Sequence, residues 1–292
     1  MKIGARETGP GFPCFIVGEV AQAHEGSVSL AHAYIDAIAD AGADAVKFQC
    51  HLAEAESTPD EPWRVKPKWG QDASRYEYWR RMEFTEDQWA ELSGHAHGRN
   101  LAFIVSPFSV EAVRLLLGLV DAWKVASGEV THADLLVAIA ATGVPVIVST
   151  GMSTCAEIEE VKPAFGGKMA LLQCTSMYPT PPSFVGLGVM AEMRKRFRCP
   201  VGLSDHSGTI YAGLGAVTLG ADLLEVHVTL SRETQGFDTA SSITPSELRS
   251  LVKGAWFLER ARGTVDKDSM ADALAGTRLV FADKWKRRKA LV

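Results

Sequence analysis

Eight short β-branched or apolar runs alternate with amphipathic stretches across residues 10–263, and this alternation predicts an α/β fold of the (β/α)8 TIM-barrel type. Two further features support it. The runs are apolar nearly throughout, as expected of parallel strands buried on both faces. The first strand-to-helix turn, GEVAQAHEG at 18–26, also lacks the GxGxxG pattern of a doubly wound sheet, which is the alternative architecture.

Taken in order, the strand candidates are 14–19, 45–49, 102–107, 122–127, 145–150, 169–174, 200–205 and 223–228. Amphipathic periodicity predicts helices over 30–41, 86–99, 110–118, 133–141, 155–162, 187–197, 211–220 and 245–261. Gly42, Gly143 and Gly220 stand at or just beyond three of these helices, where a left-handed C-terminal cap is expected. Residues 1–7 lead directly into the first strand in this reading. The segment 50–84 falls outside the repeat. It is long, polar and aromatic (Trp63, Trp69, Tyr76, Tyr78, Trp79), and at a barrel mouth it is expected to cover substrate, with an oligomer contact as the alternative. The expected organisation is one barrel domain, 1–265, and a C-terminal extension, 266–292, whose basic run KWKRRKALV is expected to be solvated.

Composition narrows the function classes. A formal charge of −5 gives no reason to expect nucleic-acid binding, and no apolar run approaches the roughly 20 residues of a membrane span. No signal peptide is expected. The five cysteines are odd in number and form no CxxC pair, which suits reduced thiols in a cytoplasmic protein.

Functional groups of a barrel gather where strands end and βα loops begin. His206 and His227 each close an apolar run about twenty residues apart, enough for one helix and two turns. That places both rings in one mouth, as ligands for a divalent transition metal; hydrogen-bonded core histidines are the alternative. Lys47 and Lys124 lie within strands and need either a carboxylate partner, Glu19 or Glu129, or an anionic ligand. Ser106, Ser127, Ser149, Ser176 and Ser204 at successive strand ends form a ring of hydroxyl donors suited to an anion with several oxygens. Gln49, Thr175, Tyr178, Asp205, Glu225 and Thr229 are further polar residues at those ends. The set reads as a metal, a small phosphorylated anion and carboxylates for proton handling.

These residues also carry a resemblance. The segments IVGEVAQAHEGS (16–27), AGADAVKFQ (41–49), VSPF (105–108), WKVASGE (123–129) and VSTGM (148–152) are similar to motifs of the sialic acid synthase family, that of N-acetylneuraminate synthase and its pseudaminate and legionaminate relatives. QCTSMYPTPP (173–182), VGLSDHSG (201–208) and LEVHVTL (224–230) continue the match, which covers about residues 10–263.

The resemblance implies the same barrel and a metal-dependent condensation of phosphoenolpyruvate with an aldose such as N-acetylmannosamine, releasing phosphate. It makes His206 and His227 the metal ligands, with manganese the usual ion and magnesium or cobalt as alternatives. Lys47, Lys124, Ser106, Ser127, Ser149, Ser176 and Ser204 then hold phosphoenolpyruvate. Gln49, Tyr178 and Asp238 hold the sugar, and Glu19 and Glu129 are carboxylates at the reacting centre. It further implies a homodimer, and typical members continue into a small antifreeze-like C-terminal domain that lends an arginine to the partner; Val292 falls about where that domain would begin, so the barrel is expected to work without it, or the module is a separate partner chain or has been removed. Two departures concern the acceptor side: AHEG (23–26) replaces Asn-His-Asn-Gly, and GFDT (236–239) replaces Gly-Pro-Asp-His. The rival readings are the same chemistry on a pseudaminate-, legionaminate- or Kdn-type aldose, a non-catalytic barrel subunit, and a metal aldolase using pyruvate.

Overall fold

The computed structural model describes residues 1–63 and 70–289; Trp69 and the side chains of the basic run at 284–292 lie outside the described residues. Strands β1 (Lys2–Ile3) and β2 (Arg6–Glu7) form a short antiparallel ladder. Eight parallel strands then close a barrel: β3 (Phe15–Ala21), β4 (Ala45–Cys50), β5 (Ala102–Pro107), β6 (Ala122–Val125), β7 (Val146–Ser149), β8 (Met169–Cys174), β9 (Val201–Asp205) and β10 (Leu223–His227). Each pairs with its sequence neighbour, and β10 closes on β3. The fold class read from the sequence is the one observed.

Period-two alternation of the strands sorts the barrel into layers. Outward positions such as Ile16, Val46, Phe103, Trp123, Val148 and Leu224 belong to the large core packed beneath the helices. Inward positions near the N-terminal ends, among them Phe15, Val17, Ala45, Ile104, Ile147 and Leu172, form a second, interior apolar cluster. Two residues further along several strands the inward positions turn polar: Val17 is followed by Glu19, Ala45 by Lys47, Ile104 by Ser106, Ala122 by Lys124, Ile147 by Ser149 and Leu223 by Glu225. An apolar floor thus lies directly under a polar layer.

The N-terminal ladder is a departure from the expectation that residues 1–7 simply lead into the first strand. Ile3 is fully buried within the interior cluster, so the ladder closes the base of the barrel. Two-residue strands carry too little periodicity to be read from sequence. The eight expected helices all form, with ends shifted by a few residues; helix Cys155–Phe165 runs on through Pro163, and helix Val110–Leu115 stops before Gly118. Side chains of Ser27, Thr85, Ser109 and Thr154 accept backbone N–H bonds at helix N-termini. Gly42 and Gly143 are left-handed C-caps as expected.

The excursion contains helices Ala53–Glu56 and Arg75–Met82, the second capped by Ser74. The chain divides into compact units Met1–Glu259 and Arg260–Val292, a division slightly before residue 265. In the second unit, the extension forms helices Lys267–Ala273 and Ala275–Lys289, and Asp266 caps the first through Asp268 and Ser269. No disulfide joins the described cysteines, and no helix among the described residues is long and apolar enough to cross a membrane.

Gly202 sits where β9 presses on β10: a Cβ there would meet the Leu223 carbonyl oxygen at 1.9 Å. Gly202→Ala is therefore expected to destabilise the protein by about 3 kcal/mol or more, as strain and overpacking in a core do. Gly94→Ala, inside helix Glu86–Gly98 with open space around it, should gain about 0.5–1 kcal/mol. Urea unfolding of both variants measures the contrast.

Candidate active site

The parallel register carries the polar layer round the barrel. Glu19 is in register with His227 on one side and Lys47 on the other; Gln49 is in register with Ser106, and Ser204 with Glu225. At the centre stands Glu225, whose Oε1 lies 3.7 Å from Lys124 Nζ and 3.9 Å from Lys47 Nζ and accepts the Ser204 hydroxyl at 3.1 Å. Lys47 Nζ also lies 2.7 Å from Glu19 Oε2 and donates to Ser106 Oγ at 3.2 Å. Lys124 donates to Ser149 Oγ at 2.7 Å. All of these side chains are buried.

The surroundings push the two carboxylates apart. Burial works against the charge of Glu225, but Lys124 and Lys47 outweigh it and hold the carboxyl at about 2. Glu19 moves the other way: its burial is deeper in effect than the attraction of Lys47, and its pKa rises above the usual carboxylate value. Lys124 is pulled down by burial, opposed by Glu225. Lys47 is raised, because Glu19 and Glu225 together overcome its desolvation. Glu225 is thus held ionised, whereas Glu19 is shifted towards its protonated form.

Ser127 and Ser176 complete the ring on the other side. A Cβ at Gly151 would meet Ser176 Oγ at 2.5 Å and Ser127 Oγ and Cys174 Sγ at 2.9 Å, so only glycine leaves these groups room to converge. Ser127 Oγ accepts the Gly151 N–H at 3.1 Å.

His206 and His227 meet edge to face with ring centroids 5.1 Å apart. His206 Nδ1 donates to the Thr175 carbonyl at 3.1 Å, and its Nε2 is 3.3 Å from the Tyr178 hydroxyl, whose ring stacks on the imidazole at 4.2 Å. Burial, followed by His227, lowers the His206 pKa to about 4 and keeps it neutral. His227 is desolvated too, but Asp238 reverses the sign and raises it, while His227 in turn holds Asp238 below its usual value. His227 Nδ1 is buried without a hydrogen bond, 3.5 Å from Asp238 Oδ2. Among the described residues no cluster of three or more His, Cys, Asp or Glu is arranged around a common point. A neutral imidazole beside an orphaned ring nitrogen nevertheless fits a divalent cation whose remaining ligands are water or substrate oxygens.

Above this layer opens a cavity of about 470 Å³. Gln49, Tyr178, His227 and Asp238 line it at the barrel end; Trp63, Arg75, Tyr78 and Trp79 of the 50–84 excursion line it from above. Thirteen of the fourteen predicted site residues thus lie in the buried layer, the ring or the cavity. Glu129 stands apart. Its carboxylate pairs with His132 Nδ1 at 3.0 Å in the loop after β6, and the carboxylate that meets Lys124 is Glu225. Glu225 was visible in sequence only as one more polar strand end; its inward register, two residues beyond Leu223, was the signal. His51, sandwiched between Trp79 and Phe108, had no sequence signal, and His24, fully buried against Phe84, showed only as the histidine within the AHEG segment.

Comparison with known proteins fixes the family. The NeuB family model matches residues 34–267. The chain belongs to the NeuB family. NeuB relatives include the N-acetylneuraminate-9-phosphate synthase of Mus musculus, 34% identical over 278 residues (92% of this chain, 77% of the relative). The N,N'-diacetyllegionaminic acid synthase of Campylobacter jejuni is 36% identical over 259 residues (85% and 77%). Among solved structures, the N-acetylneuraminic acid (sialic acid) synthetase of Leptospira borgpetersenii, crystallised with citrate, superposes with a TM-score of 0.82 at 29% identity, covering 95% of both chains. This NeuB chain is accordingly an enzyme of the sialic acid synthase type.

Two predictions follow from the electrostatics. Glu225→Ala leaves buried Lys124 without a carboxylate and Lys47 with Glu19 alone, and should lower unfolding free energy by about 3–5 kcal/mol, read by urea denaturation. Burial, followed by His51 and Arg81, holds His24 at about 3. Its contribution is therefore complete above the unfolded value near 6.5 and is lost as pH falls from there towards 3. Stability should drop by a few kcal/mol over that window. His24→Leu, less stable at pH 8, should show a shallower fall in pH-dependent unfolding.

Proposed function

We propose that the chain condenses phosphoenolpyruvate with an open-chain amino sugar to a nonulosonic acid, releasing phosphate. The observation that carries this reading is the buried pair Lys47 and Lys124, held on Glu225 inside a ring of serine hydroxyls and beside two imidazoles. In it, Lys47, Lys124, Ser106, Ser127, Ser149, Ser176 and Ser204 bind the phosphate and carboxylate of phosphoenolpyruvate, fixing its methylene carbon towards the cavity. Gln49, Tyr178 and Asp238 orient the acceptor aldehyde above it. His206 and His227 would hold a divalent cation, manganese with magnesium or cobalt as alternatives, which when bound supplies Lewis-acid polarisation of the aldehyde.

The methylene carbon forms the new carbon–carbon bond to the aldehyde carbon, and the aldehyde oxygen gains a proton to become a hydroxyl. Water adds to the electron-poor enol carbon and gives up its proton. The tetrahedral product then loses phosphate by carbon–oxygen cleavage, leaving a 2-keto acid. Glu19, buried in the layer and raised in pKa, is the group we assign to take the proton from the attacking water. Glu129, engaged by His132, takes no part in that step in this reading. A cytoplasmic homodimer is proposed on the family resemblance alone.

The test is phosphate release from phosphoenolpyruvate with manganese and a panel of aldoses, in wild type, His206→Ala and Lys124→Ala. Release that needs sugar and cation, and falls at least about a hundredfold in both variants, supports the proposal. Consumption of pyruvate without phosphate release would replace it with an aldolase. Silence with every aldose would favour a non-catalytic barrel.

A further inference from the structure

Just past the end of β4 the inward alternation runs on: Lys47 and Gln49 are followed by His51, a residue the proposed chemistry leaves without a part. Lys47 belongs to the buried layer, Gln49 lines the cavity, and His51 is buried at the barrel rim. Its imidazole is fixed in every direction. Trp79 stacks on it with ring centroids 3.7 Å apart and planes 17° from parallel, and Phe108 does so at 3.9 Å and 19°. Trp79 is braced in turn by Tyr78 at 5.0 Å, which meets Phe237 of the cavity wall edge to face at 5.6 Å. These rings set the plane of the imidazole. Rotation within that plane is set by Glu56. His51 Nδ1–H donates to Glu56 Oε2 at 2.7 Å, and Glu56 Oε1 accepts the Leu52 N–H at 2.8 Å.

The opposite nitrogen, His51 Nε2, then faces the Gln49 carboxamide, 3.4 Å from Oε1; Gln22 Nε2 lies 3.5 Å from the same oxygen. Contacts of this length are common in unliganded sites and tighten in the substrate complex. The polar edge of His51 exceeds what packing requires. A phenyl ring would fill the slot between Trp79 and Phe108 without burying two ring nitrogens beside a carboxylate. What the nitrogens add is direction. Gln49 has a long side chain, and a carboxamide free at a cavity wall would exchange among rotamers. Against a ring that cannot turn, one end of the carboxamide is committed to His51 and the other to the cavity.

Resting on the condensation reading above, in which Gln49 orients the acceptor, we propose that His51 and Glu56 are positioning residues. Through the clamped imidazole they fix the Gln49 carboxamide, and with it the alignment of the acceptor aldehyde over the phosphoenolpyruvate layer. Neither touches substrate.

The experiment follows phosphate release with manganese and the best-used aldose of the panel. The aldose is varied at saturating phosphoenolpyruvate, and then phosphoenolpyruvate at saturating aldose. The proteins are wild type, His51→Phe, Glu56→Ala, Gln49→Ala and the double variant of Gln49→Ala with His51→Phe. His51→Phe keeps the stack and removes the nitrogens. It should raise KM for the aldose about tenfold, the range of one orienting hydrogen bond, and leave KM for phosphoenolpyruvate within about twofold. Added to Gln49→Ala it should cost less than about twofold more, because both act through one group. Glu56→Ala leaves the imidazole in its stack; it should follow His51→Phe, and it carries the test if His51→Phe does not fold by circular dichroism. An unchanged KM for the aldose overturns the inference. So does an equal rise for both substrates, the mark of a merely structural role, or a full further tenfold loss on top of Gln49→Ala. In each of these cases the wild type still releases phosphate and the condensation stands. A wild type silent with every aldose overturns the condensation reading and this inference with it.

Discussion

Two lysine ammonium groups inside one barrel constitute a constraint that the rest of the site has to meet. Each is costly to bury alone, and at close range they repel. Glu225 resolves this by standing between them, and Glu19 adds a second negative charge at Lys47. The carboxylates do not share the burden evenly. Glu225 sees both lysines and stays ionised, whereas Glu19 sees one and is left with a raised pKa. One residue therefore fixes charge, and the other sits closer to its neutral form. A barrel interior can hold such a set because neighbouring strands supply donors and acceptors from several sides.

The height of these groups is a matter of register. Adjacent parallel strands bring Glu19 level with both His227 and Lys47, and the period of two puts apolar Val17 and Ala45 beneath Glu19 and Lys47. The floor of Phe15, Val17, Ile104, Ile147 and Leu172, closed below by Ile3, keeps the polar layer at the mouth. The same stacking links stability to chemistry. Glycines at close approaches, Gly202 between strands and Gly151 among the hydroxyls, leave no room for even one added carbon.

Much of this was legible in the chain itself. The eight apolar runs and the helices between them carry strong periodicity, and polar residues at successive strand ends mark the mouth. His206, His227, Lys47 and Lys124 stood out because a charge or imidazole in an apolar run is conspicuous. Which carboxylate meets which lysine was not legible, since that depends on register between strands distant in sequence; Glu129, two residues beyond Ser127 in the chain, was a natural partner, yet its loop turns it towards His132. The ladder at residues 2–7 was too short to show a pattern. His51, stacked between two rings, owes its place wholly to tertiary packing.

The two halves of the site are built from different materials. The lower half is carried on strands, where each inward side chain is also a piece of the barrel, so a change there disturbs folding and chemistry together. The upper half is carried on the 50–84 excursion and the loop around Phe237, which wrap the mouth without setting strand register. Lineages descended from such a molecule can rewrite the upper half while inheriting the lower half intact. One ancestral reaction then diversifies into many sugar products, with the fold itself conserving the step they share.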